Sequence, residues 1–73
     1  MSKTALVPIA DGSEEIEAIT VIDVLRRAGV EVTVAAVSAD GSTKITGAQS
    51  VGISADCTID SCAGGSWDLV AVP

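Results

Sequence analysis

Four carboxylates crowd the segment Asp11-Gly12-Ser13-Glu14-Glu15-Ile16-Glu17. Acids gathered this closely can serve three kinds of chemistry. They can compensate the unpaired N–H groups and positive dipole end of a helix. They can gather a hard cation such as Mg²⁺ through oxygen ligands. Or one of them can act as an acid–base group. Glu14 and Glu15 stand at the mouth of a helix and read as dipole-compensating surface acids. Glu17 is placed differently. At roughly 100° per residue, Ala18, Val21, Ile22, Val24, Leu25 and Ala28 form one broad apolar stripe. Glu17 precedes Val21 and Val24 by helical repeats, so it lies along a margin of that stripe. A carboxyl there is expected to be desolvated, which disfavours its charged form. A carboxylic acid that keeps its proton can donate a hydrogen bond to an anion or a reacting group. A buried glutamate satisfied by backbone groups fits the local pattern equally well.

The elements that must position these acids follow from the hydrophobic pattern. Thr4 to Ile9 is a near-continuous apolar run, as in a parallel strand buried on both faces. Pro8 lacks a ladder donor and is expected at that strand's C-terminal end. Asp11-Gly12-Ser13 reads as the strand-to-helix turn, with Ser13 or Asp11 as N-cap and with capping-box spacing from Asp11 to Glu14. The helix runs to about Ala28, with Arg26 and Arg27 in its last turn and Gly29 at C′. Val30 to Val37 is a second strand, which makes a right-handed βαβ unit. Asp40-Gly41 is a hairpin signal, so Thr43 to Thr46 is expected to return antiparallel as an excursion from the sheet. Val51 to Ile53 reads as a short strand, the following "ADCTIDSCAGGS" as a loop with one helical turn, and Asp68 to Val72 as the next buried strand. The fold class is α/β with a mostly parallel sheet. Since it begins beyond the C-terminal edge of the first strand, the helix aims Glu17 along the edge where open α/β sheets bind ligands.

Composition narrows the partners. The chain has 73 residues, is 48% hydrophobic and has one aromatic, Trp67; its mean hydropathy is +0.53. Such a core of Val, Ile and Ala belongs to something larger. Residues 1–73 are therefore expected to be the N-terminal part of a single domain completed by a second segment or chain. A net charge of −6 with only four Lys or Arg argues against nucleic acid and anionic membranes. The run "ALVPIA" is too short to span a bilayer and lacks the features of a secretory signal. Without a histidine, Cys57 and Cys62 cannot complete a zinc site from this chain alone, and reduced cytoplasmic thiols are the expectation. No G-x-G-x-x-G or Walker pattern follows the first strand, so no nucleotide cofactor is expected. Ile16 and Ile19 fall on the helix face opposite the stripe, beside Asp23 and Arg27, and read as a subunit contact.

The stretch "ALVPIADGSEEIEAITVIDVLRRAGVEVTVAAV", with its "GSEEIE" turn and "IDVLRRAG" helix, resembles the N-terminal segment of the DJ-1/ThiJ/PfpI superfamily, and in particular its DJ-1-like branch. The terminal "WDLVAVP" resembles that family's next core strand. The resemblance implies a flavodoxin-like three-layer α/β sandwich carrying a reactive cysteine on a strand-to-helix elbow. It implies that Glu17 matches the first-helix glutamate that hydrogen-bonds this cysteine, lowers its pKa and holds its sulfinic form. The cysteine itself would lie beyond Pro73; neither Cys57 nor Cys62 matches it. Gly12 and Gln49 are implied at the substrate pocket, where several members have an arginine in place of Gln49. Gln49 retains hydrogen bonding and lacks the charge. The resemblance further implies a homodimer packed through the first helix, with Ile16, Ile19, Asp23 and Arg27 at the interface. The implied activity is cysteine-dependent hydrolysis of reactive carbonyls, of glyoxalase or deglycase type, or oxidant sensing, in the cytoplasm and without metal or cofactor. A non-catalytic chaperone or binding module of the same fold is the alternative, and the family also carries names drawn from thiazole monophosphate biosynthesis.

Overall fold

The computed structural model describes residues 3–62 and 64–73. Strand β1 (Thr4–Ala10) leads into helix α1 (Glu15–Arg27) and strand β2 (Glu31–Val37). A short β3 (Lys44–Thr46) and β4 (Gly52–Ser54) follow, then β5 (Cys57–Thr58), a single turn α2 (Ile59–Cys62) and β6 (Leu69–Val70). Four strands form a parallel sheet in the order β5-β2-β1-β6. The architecture is α/β and flavodoxin-like. β2 lies on one side of β1 and β6 on the other, so the chain reverses direction across the sheet beside β1. That reversal is the topological switch point of this fold class.

The apolar run of β1 is central because it pairs on both sides, in register from Thr4↔Glu31 to Ala10↔Val37 with β2 and at Ala5↔Leu69 and Leu6↔Val70 with β6. Val7 and Ile9 point from it into a cluster with Ala18 and Ile22 of α1, Val34 and Ala36 of β2, and Ile45 of β3. Pro8 lies inside β1 rather than at its end, opposite Ala35. Thr4 and Leu6 direct their carbonyls to the β6 side, accepting from the N–H groups of Asp68 and Ala71. By the two-residue alternation of a strand, the donor that Pro8 lacks also faces that side, past the last paired residue.

Several expectations are corrected. The N-cap is Glu14, in extended conformation and without a side-chain cap. Ser13 Oγ instead accepts from the Ala10 N–H at 3.0 Å, and Asp11 Oδ1 from the Thr46 N–H at 2.8 Å. Both candidate caps are thus occupied in tying the turn to its surroundings. The buried stripe is narrower than expected: Ala18 and Ile22 are buried, whereas Val24 is 57% exposed. The antiparallel excursion from the sheet is present, with β3 paired to β4 through Ile45↔Ile53 in a separate two-stranded sheet. β5 was not visible in the sequence, because two residues are too few to show a period. The segment around β6 is exposed in this chain, with Val70 at 53% and Val72 at 77%. It is held by Asp68, whose Oδ2 accepts from the Thr4 N–H at 2.8 Å. That bond outweighs desolvation, and with the Thr4 hydroxyl and the Lys3 charge it lowers the Asp68 pKa.

The C-terminal end of α1 follows its expected form. Gly29 has a φ of 84°, its N–H donates to Arg26 O, and the Val30 N–H donates to Leu25 O. These are the two bonds of a Schellman motif, and they turn the chain into β2. Gly29→Ala places a side chain in the left-handed region and should cost about 1 kcal/mol. Urea unfolding checks this, and an unchanged midpoint would mean that the turn does not hold α1 to β2.

Candidate functional site

The site begins where β1 ends. Gly12 has a φ of 88°, a backbone shape that turns the chain sharply toward α1 and is open to glycine at low cost. Its N–H donates to Thr46 O at 2.9 Å, and the Ala48 N–H donates to Ser13 O at 2.9 Å. With Asp11 on Thr46, these bonds stitch the β1–α1 turn to the loop after β3. Glu15 completes the seam. Its Oε2 accepts from the Gln49 N–H at 2.9 Å and the Val51 N–H at 3.0 Å, and its Oε1 accepts from Gln49 at 3.1 Å. Burial alone would raise the Glu15 pKa. The backbone N–H groups of Glu15 itself, Val51 and Gln49 outweigh it and hold the carboxyl below its ordinary 4.5. The four acids therefore do not converge on a cation, and among the described residues no group of three or more potential ligands gathers for a metal.

Glu17, one helical step further, faces a different way. It is exposed, so the desolvation expected of it is not supplied by these residues. With Ile16, Thr20, Val21 and Pro73 it lines an open cavity of about 450 Å³. β6 runs parallel to β1, so Pro73, which follows it, and the first turn of α1, which follows β1, both lie at the carboxyl edge of the sheet. They flank the switch point beside β1. A carboxyl over a mostly apolar floor can donate or accept a proton for a group brought into that crevice.

The remaining candidates separate into two places. Gly12 and Gln49 come together through the 46–51 loop and are both exposed, but neither lines the cavity with Glu17. Ile16 and Ile19 are 76% and 50% exposed. Beside them Arg27 Nε donates to both oxygens of Asp23 at 3.1 Å. The clamp by Glu15 escaped sequence reasoning, since its partners lie 34 and 36 positions away. Gly47 carries its only local trace: a Cβ there would overlap the Glu15 carboxyl carbon.

The DJ-1/PfpI family profile covers residues 3–73. The chain belongs to the DJ-1/PfpI family. It is 46% identical over 68 residues to protein DJ-1 homolog B of Arabidopsis thaliana, covering 93% of this chain and 15% of that protein. It is 42% identical over 73 residues to protein dj-1beta of Drosophila melanogaster, covering all of this chain and 38% of that one. Among solved structures, oxidized Toxoplasma gondii DJ-1 superposes with a TM-score of 0.94 at 40% identity, over 99% of this chain and 38% of its own. Drosophila DJ-1beta superposes at 0.93 and 42% identity, over 100% and 38%. The chain thus spans well under half of these relatives.

Two substitutions test the seam. A carboxyl whose folded pKa is lowered contributes stability that is present above its unfolded value, near 4.5, and is lost as pH falls through the folded value. Glu15→Gln should therefore lower the thermal midpoint at pH 7, with the deficit shrinking in acid; a deficit independent of pH would contradict the clamp. Gly47→Ala should also destabilise, by displacing Glu15, and adding it to Glu15→Gln should cost less than it does alone.

Proposed function

We propose that this DJ-1-like protein acts through a reactive cysteine outside these 73 residues, with Glu17 as the group that tunes it. The supporting observation is the position of Glu17: an exposed carboxyl on the wall of a crevice at the carboxyl edge of a parallel sheet, beside its switch point. Cys57 and Cys62 do not line that crevice, which supports a sulfur supplied from outside these residues. A protonated Glu17 would donate a charge-assisted hydrogen bond to the thiolate, favouring the ionised sulfur. The thiolate would add to the aldehyde carbon of methylglyoxal, or displace the amine or thiol held at that carbon in an early glycation adduct, giving a hemithioacetal. Transfer of its C1 proton to C2 through an enediol would give a lactoyl thioester, and water would cleave this to lactate and the free thiolate. Glu17 would then relay the proton as general acid and base. The same thiolate is a target for peroxide, and a sulfinic product held by Glu17 would report oxidation. Gly12 and Gln49 would shape the approach to the pocket. The Ile16, Ile19, Asp23 and Arg27 face would form the contact of a cytoplasmic homodimer.

Replacing Glu17 in the full-length protein tests this reading. Because Glu17 is exposed and its side chain makes no hydrogen bond or ion pair among the described residues, Glu17→Gln should leave thermal stability nearly unchanged. It should shift the pH profile of thiol alkylation to higher pH and slow carbonyl turnover by roughly a hundredfold. An unaltered alkylation profile would refute the role of Glu17, and a full-length chain without a cysteine at the crevice would refute the chemistry.

A further inference from the structure

Away from the Glu17 crevice, at the outer edge of the sheet, two thiols face each other. Cys57 opens β5 and Cys62 closes α2, one chain turn later. Their sulfur atoms are 2.6 Å apart, and both are free and half-buried. The backbone fixes this approach from two sides. β5 is paired to β2 through Ala35↔Cys57 and Ala36↔Thr58. Asp56, immediately before Cys57, accepts from the Val34 N–H at 2.8 Å and meets Arg26 of α1 at 3.6 Å. Cys62 Sγ also donates to Thr58 O at 3.0 Å, which holds its side chain back over β5.

A disulfide has sulfurs about 2.05 Å apart, so bond formation needs only a small closing movement. We propose that Cys57 and Cys62 form a reversible dithiol–disulfide pair, oxidised by hydroperoxides and reduced by dithiols. The order of steps follows from the surroundings. The Cys62 thiol is pushed up to about 11, first by burial and then by the hydrogen bond and charge of Cys57. Its proton is also held by the Thr58 carbonyl at 3.0 Å, whereas Cys57 has only the Val34 carbonyl at 3.9 Å, so Cys57 is the attacking sulfur. The Cys57 thiolate attacks one peroxide oxygen; an S–O bond forms, the O–O bond breaks, and the departing hydroxide takes a proton and leaves as water. With Cys57 now a neutral sulfenic acid, its charge no longer opposes ionisation of Cys62. Cys62 attacks the Cys57 sulfur, the S–S bond forms, and hydroxide leaves with the Cys62 proton as a second water. The two sulfurs supply the two electrons that reduce the peroxide. A dithiol returns both thiols by exchange. In the oxidised state the edge strand β5 is bound covalently to α2.

Peptide mapping of the native protein tests this. After treatment with hydrogen peroxide, free thiols are blocked with iodoacetamide and the protein is cut at Lys and Arg. No Lys or Arg follows Lys44 in this sequence, so one peptide carries both cysteines. The expected product is that peptide lighter by two hydrogens and free of alkyl groups, returned to the doubly alkylated form by dithiothreitol. Cys57→Ser and Cys62→Ser should each abolish the two-hydrogen loss, and Cys62→Ser should let Cys57 proceed to sulfinic acid. Peroxide that yields only independently oxidised or fully alkylatable cysteines would overturn the proposal. So would a pair that oxidises as fast in guanidinium as in the folded protein. A further cut after Trp67 ends that peptide before Pro73, so the readout stands apart from any result at the Glu17 crevice.

Discussion

One carboxylate holds the carboxyl edge of this sheet together. Glu15 gathers the backbone N–H groups of Gln49 and Val51, and without it those two donors would turn to solvent. Ionised acceptors make shorter and stronger hydrogen bonds than neutral ones, so a single side chain can hold this exposed loop. Asp11 on Thr46 and Ser13 on Ala48 extend the same seam. The consequence is a β1–α1 turn anchored on one side, which sets the direction in which α1 leaves the sheet and hence where Glu17 points.

Division of labour between neighbouring acids explains the sequence of that turn. Glu15 and Glu17 are two positions apart, so on a helix they point in well-separated directions. One reaches back to the 47–51 loop and the other forward to the crevice that ends at Pro73. Gly12 enables both by turning the chain through a left-handed residue, and Gly47 leaves room for the Glu15 carboxyl. A helix whose first turn carried acids only for its dipole would need none of these accompaniments.

Much of this was legible in the sequence. β1, α1 and β2 were readable because a long apolar run, a helical stripe and a glycine stop each carry their own local signal. Family resemblance rested on the same stretch, and the match over residues 3–73 agrees with it. What was not legible was set by distant partners. Asp11 and Ser13 resembled caps because their types suit that role, yet each found a better donor outside the helix. β5 was too short to show a pattern, and its pairing with β2 depends on Asp56 at its head. The β6 segment read as buried from its apolar residues alone, but burial depends on what covers a strand, and these residues leave it exposed. Glu17 was expected to be desolvated for the same reason: its neighbours on the helix are apolar, but its side chain opens to the crevice.

The central claim is that the Glu15 carboxylate holds the 47–51 loop and so aims the first helix. Amide proton shifts of Gln49 and Val51, followed by NMR from neutral pH into acid, test it most directly. The account predicts that both amides titrate together with the Glu15 side chain, at a midpoint below the ordinary 4.5. Amides that stay fixed while Glu15 titrates, or a Glu15 midpoint at or above that value, would contradict it.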